Sequence, residues 1–173
     1  MSAADVDKKV YLSGGIMKIL VATDGSDFSK AAIVALANIV VKPENTSIKI
    51  ISSFERPTPI AAEPFAVSAE YYNAMEEAGR EKARKFVEQA EMRIRSLFPD
   101  AAPDLTTEVI TGSPQRAIVE RAQEWGADLI VVGSHGYGFW SRTLIGSVSD
   151  SVVHHAPCSV LVVRTAKDAV KPD

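Results

Sequence analysis

Two short segments hold the chain's candidates for chemistry. One is Thr23-Asp24-Gly25-Ser26; the other is Gly133-Ser134-His135-Gly136-Tyr137-Gly138, which continues to Gly146-Ser147-Val148-Ser149-Asp150. Glycine at 133 and 136 gives the backbone access to positive φ and lets a ligand approach without meeting a Cβ, and amides turned inward there form an anion-binding nest. A helix beginning near Gly146-Ser147 adds its first free amides and the positive end of its dipole, with the hydroxyls of Ser147 and Ser149 as further donors. This is chemistry for a phosphorylated ligand. The plain alternative is a turn followed by Ser147 as an ordinary N-cap. For a single pair of glycines that alternative would win; here the whole arrangement follows the apolar run Leu129-Ile130-Val131-Val132, which favours binding. Asp24 taken alone reads as a turn former.

Other chemistries lack their residues. No G-x-G-x-x-G follows the first strand, and neither a G-x-x-x-x-G-K-[ST] loop nor a G-x-S-x-G elbow occurs. Between Gly133 and Ser149 the only Lys or Arg is Arg142, which either touches a triphosphate or faces solvent, so no lysine is expected to grip a phosphate. Without a nearby lysine, a general base or clustered carboxylates, fast phosphoryl transfer is not expected, and binding is better supported than turnover. His135 could hydrogen-bond a phosphate, but as a polar loop histidine it reads first as solvated. His154 and His155 close a helix, where they suit its dipole and diverge too much to share a metal. Cys158 beside Pro157 reads as a packed strand residue, and no Cys/His cluster has metal-ligand spacing.

The elements that must position these residues alternate along the chain. Ile19-Leu20-Val21-Ala22 reads as a buried strand ending in the Asp24 turn. A helix capped by Ser26 or Asp27 follows, with Ala31, Ile33, Val34, Leu36, Ala37, Val40 and Val41 as a broad apolar face running up to Lys42-Pro43. Strands are expected at Ile48 to Phe54, Thr106 to Thr111, Leu129 to Val132 and Ser159 to Val163. Tyr72, Met75, Phe86, Val87, Ala90, Ile94 and Leu97 recur at helical steps, opposite a face where Glu76–Arg80 and Glu81–Lys85 form i,i+4 pairs. Ser113-Pro114 opens another helix and Trp125-Gly126 closes it, and a last helix runs from about Gly146 to Ala156. Strand-helix alternation of this kind specifies an α/β domain around a parallel sheet. In such a sheet ligands sit at the carboxyl ends of the strands, where both chemical segments fall.

Composition narrows the class. A chain of 173 residues with 46% hydrophobic and 24% charged residues suits one domain with a real core. Its single cysteine excludes an intrachain disulfide and suits a cytoplasmic location. The longest near-apolar run, Ala31 to Val41, is far short of a membrane span, and a net charge of -3 disfavours nucleic acid as a partner. Residues 1–16 read as a flexible extension, 17–164 as the domain and 165–173 as a tail.

Gly133-x2-Gly136-x9-Gly146-Ser147 resembles the G-2x-G-9x-G-(S/T) pattern of the ATP-binding branch of the universal stress protein family, and Lys18 to Ser26 is similar to that family's opening strand. Thr111-Gly112-Ser113-Pro114, Ala127 to Gly133 and Ala156 to Val163 also sit where the family has similar segments. The resemblance implies a single adenine nucleotide alpha hydrolase-like α/β domain: a five-stranded parallel sheet in the order 3-2-1-4-5 with helices on both faces. It places Ala22, Thr23 and Asp24 at the adenine or ribose, Ser53 beside the base, and Val132 with Gly133 beneath it. Gly136, Gly146, Ser147, Val148 and Ser149 would hold ribose and phosphates. ATP with magnesium carried on the nucleotide, a stress-response role through protein partners, and a homodimer through Ser159 to Val163 follow from the same resemblance. A slow ATPase or adenylyl-transfer enzyme, and an interaction module that binds no nucleotide, are the other readings. The proline-containing stretch 55–67 is expected either to cover the ligand or to serve as a passive connector.

Overall fold

Alternation along the first strand sets the layers. In Met17–Ala22 (β1), Ile19 and Val21 enter one core while Leu20 enters another, because successive strand side chains point to opposite faces. The computed structural model describes residues 15–57, 68–136 and 145–165. Most of the expected extension and tail, residues 58–67 of the proline-containing stretch, the aromatic residues Tyr137, Phe139 and Trp140, and Arg142 all lie outside them.

Thr46–Phe54 (β2), Asp104–Thr111 (β3), Leu129–Gly133 (β4) and Ser159–Val163 (β5) complete one sheet in the order β3-β2-β1-β4-β5, with every pairing parallel. Asp27–Ala35 (α1) and Ala69–Leu97 (α2) cover the face of Ile19, Val21, Ile48, Ile50 and Val131. Pro114–Trp125 (α3) and Ser147–His155 (α4) cover the face of Leu20, Ile51, Ile130 and Val132. Chain order runs outward from β1 to β3 on one side and through β4 to β5 on the other. The strand order therefore reverses between β1 and β4, where a crevice opens at the carboxyl edge.

Local signals set several boundaries. Ser26 caps α1, its Oγ accepting the Ser29 amide at 3.2 Å. Gly126 ends α3 at φ +68°, the left-handed conformation a glycine C-cap adopts without a Cβ penalty. Pro114 holds the first position of α3, but Ser113 makes no side-chain capping bond, so only half of that start signal operates.

Two helices depart from the expected pattern. The first is shorter: α1 ends at Ala35 and tightens into a 3-10 turn over Leu36–Asn38, before the β-branched run Ile39-Val40-Val41. Val40 is buried, but Val41 is 85% exposed and Val34 is also exposed, so the apolar face is narrower than its composition suggests. In α2 the core residues are Ala83, Val87, Ala90 and Ile94, whereas Met75 is exposed. The first turns of this 29-residue helix stand clear of the core, and Glu76–Arg80 and Glu81–Lys85 pair along its surface as expected. Among the described residues, no helix is long and apolar enough to cross a membrane.

Candidate functional site

The β1–β4 reversal brings the two chemical segments together. Asp24 follows β1 and Gly136 follows β4, and a Cβ placed on Gly136 would lie 2.8 Å from Asp24 Oδ2. The other carboxylate oxygen, Oδ1, accepts the Ser26 amide at 3.0 Å and the Ser26 hydroxyl at 2.6 Å. Asp24 is thus both the turn former its type suggests and a wall of the crevice. Thr23 is buried; its amide donates to the Ile51 carbonyl, extending the β1–β2 ladder past the strand end.

A cavity of about 580 Å³ opens here. All eleven residues singled out from the sequence line it. Ala22, Thr23, Asp24 and Ser53 stand at the ends of β1 and β2; Val132, Gly133 and Gly136 stand at and after β4; Gly146, Ser147, Val148 and Ser149 open α4. Ile51, Phe54, Ala83, Phe86 and Ile118 give the space an apolar side.

The glycines act differently from the expectation. Neither Gly133 nor Gly136 has a positive φ. They are required by close approach instead. A Cβ on Gly133 would lie 2.6 Å from the backbone carbon of Phe28 and 2.8 Å from the Ser29 nitrogen, so Gly133 lets α1 settle onto the end of β4. That constraint is internal to the fold. Gly136 is the glycine whose missing side chain leaves room beside Asp24.

Ser134 and Gly146 are tied to each other and to the sheet. The Gly146 amide donates to the Ser134 carbonyl at 2.8 Å, and the Ser134 amide donates to the Val163 carbonyl at 2.8 Å. Gly146, not Ser147, is the N-cap of α4; the first ladder bond runs from Asp150 to Gly146, so the amides of Ser147, Val148 and Ser149 precede the ladder at the positive end of the helix. Ser149 is buried, and its hydroxyl donates to the carbonyls of Gly133 at 2.8 Å and Ser134 at 3.1 Å. Because a hydroxyl has one proton, Ser149 in this arrangement ties α4 to the β4 end and offers its backbone amide, not its side-chain proton, to an anion.

Three features of the site escaped the sequence reading. Gly79, Lys82, Ala83 and Phe86 of α2 form a second wall, so a lysine does line the cavity. Phe86 presses on the turn after β1: Gly25 stands at φ +77°, and a Cβ there would fall 2.3 Å from a Phe86 ring carbon. His135 is not a solvated loop residue. Its ring packs against Phe28 at 5.3 Å between centroids, its Nδ1 lies 3.2 Å from Ser134 Oγ, and its Nε2 is buried with no hydrogen-bond partner among the described residues. The i,i+4 step from Lys82 to Phe86 was visible in the sequence, but nothing local tied it to the Asp24 turn.

The remaining candidates lie elsewhere. His154 and His155 each direct Nδ1 to the carbonyl four residues back, both at 2.8 Å. Cys158 packs beside the core under α3 and α4; burial, with the Asp128 charge adding to it, raises its thiol above the usual range and keeps it protonated. Among the described residues no three His, Cys, Asp or Glu side chains gather as a metal site.

Residues 15–164 match the model of the universal stress protein family. A protein described as a universal stress protein in Staphylococcus aureus strain USA300 is 34% identical over 149 residues, spanning 85% of this chain and 83% of its own length. Among solved structures, the universal stress protein UspA from Lactobacillus plantarum superposes with a TM-score of 0.70 at 26% identity, covering 87% of this chain and 99% of that one. A universal stress protein solved in complex with cAMP gives a TM-score of 0.59 at 26% identity, with 85% and 96% of the two chains covered.

Proposed function

This chain belongs to the universal stress protein family, and from that premise we propose that it is an ATP-binding member whose bound nucleotide governs its contacts with protein partners in the stress response. The observation that carries the reading is the convergence of Asp24, Gly136 and the opening turn of α4 on one cavity of about 580 Å³, a size suited to a nucleotide. The similar protein solved with cAMP supports an adenine ligand.

The residues fit such a ligand by division of labour. Ile51, Phe54, Ile118 and Val132 offer an apolar surface to a base, with Ser53 beside it. Asp24 and the Gly136 backbone face the ribose, and the amides of Ser147, Val148 and Ser149 face the phosphates. Magnesium would travel on the phosphates, where it offsets their charge. Asp24 is the only carboxylate among the described lining residues, so the chain's own part is to bind and orient the nucleotide, in line with binding over rapid turnover. The folding unit is residues 17–164, acting in the cytoplasm. A homodimer forms through β5, the edge strand whose outer side meets no other strand of the described sheet.

Extraction of nucleotide from freshly purified protein, followed by calorimetric titration with Mg-ATP, tests the reading. ATP is expected in the extract or binding heat in the titration, and Gly136→Val is expected to abolish both while the fold is retained. Wild-type protein that carries no nucleotide and gives no heat would overturn it.

A further inference from the structure

The geometry points to Lys82 as the side chain that reads how many phosphates the ligand carries, an inference that rests on the adenine-nucleotide reading. The opening turn of α4 brings only about half a positive charge to the cavity, less than a diphosphate or triphosphate calls for. Among the described lining residues Lys82 is the only Lys or Arg, and Asp24 the only Asp or Glu. The cation comes from the opposite side of the sheet to the amides: α2 covers one face and α4 the other, and they meet at the carboxyl edge.

The position of the ammonium is set by its neighbours. Phe86, one turn further along α2, lies on the Gly25 turn directly after Asp24, held there by the missing Cβ of Gly25. Lys82 Nζ sits 5.7 Å from the centroid of that ring. The aromatic face thus holds the charge near the Asp24 turn. A four-carbon stem gives the ammonium reach from there toward anionic oxygens without any shift of α2, whereas a neutral nucleoside gives it nothing to contact.

Calorimetric titration of the full chain with ATP, ADP, AMP and adenosine, at low and high salt, tests this assignment. Wild-type affinity is expected to rise with phosphate number and to weaken with salt. Lys82→Met, which keeps the stem over Phe86, should weaken ATP binding about tenfold and leave adenosine unchanged. Lys82→Arg should restore most of the loss. Because Lys82 is exposed on its helix, each variant is expected to melt like wild type; should Lys82→Met unfold, Lys82→Gln must give the same split between ATP and adenosine. Equal loss for ATP and adenosine, or no loss for ATP, would refute the role of Lys82 while leaving nucleotide binding intact. Wild-type protein that binds neither ATP nor adenosine would remove the nucleotide reading, and this inference with it.

Discussion

The cavity wall made by the strand ends and the glycine segment differs from the wall made by α2 in how each came to face the same space. The first is local. Asp24 sits there because a strand ends at Ala22, and the amides of Ser147 to Ser149 sit there because a helix begins after Gly146. The second wall is made of ordinary helix residues, whose only link to the site is that α2 crosses the sheet face over β2 and sets Phe86 on Gly25. A wall built from turns and helix ends leaves a signature of glycine, serine and aspartate, while one built by packing leaves almost none. The first wall is also bound tightly into the fold, through Phe28 against Gly133 and the Ser149 hydroxyl against two carbonyls. The second is held by side-chain packing, with Phe86 set on Gly25, so substitutions should separate stability from binding differently on each.

The largest effect is expected at Gly133→Val. The new side chain would enter the backbone of α1, which has no flexible tip to yield, and stability should fall by about 3 kcal/mol in thermal melts. A variant that melts like wild type would show that α1 is not held by this approach. Next comes Phe86→Ala on the other wall. It would open the main cavity toward a neighbouring one of about 380 Å³ between α1 and α2, costing about 2 kcal/mol because the ring is only half buried. Here ATP affinity should fall along with the melting temperature, because the platform under Lys82 is lost. Ser149→Ala should cost about 1 kcal/mol, the usual worth of one hydroxyl bond, and weaken ATP binding less than Gly136→Val does. Calorimetry on the two variants side by side decides whether Ser149 acts on the ligand or on the β4 end.

The smallest effect lies outside both walls, at Cys158. A thiol whose folded-state pKa is raised stabilises the fold while protonated. That contribution is fully present below the ordinary thiol range of about 8.5 and is lost as pH rises through the folded value. Native protein should therefore be alkylated by iodoacetamide more slowly at pH 8 than unfolded protein, and Cys158→Ser should flatten the alkaline decline in stability. Equal alkylation rates would show that the burial does not protect the thiol.

Much of the fold was legible from short-range pattern. The span of β5 matches its apolar run, Gly126 caps α3 as its position after Trp125 suggests, and the strand order follows from the family resemblance. The misreadings share a cause. Val34 and Val41 look like core residues because apolar residues near a helix look alike, but Val34 sits on the outer side of the helix, and beyond its end at Ala35 Val40 enters the core while Val41 is exposed. Met75 continues the α2 period, yet it is exposed, and the helix's buried residues begin only at Ala83. A polar loop histidine is usually solvated, and only the Phe28 ring beside His135 shows otherwise here.

The alternation of strands and helices, the starts of α1 and α3 and the position of both chemical segments after strands are written in the sequence, because each depends on residues close together in the chain. Only tertiary packing explains why the glycines are glycines. Gly133 yields to Phe28 and Gly136 makes room beside Asp24, both without positive φ, since a steric reason of that kind lies in a partner distant in sequence. It alone also brought Lys82 to the cavity. A helix's period says which residues share a face, whereas only packing against Gly25 and the sheet says what that face meets.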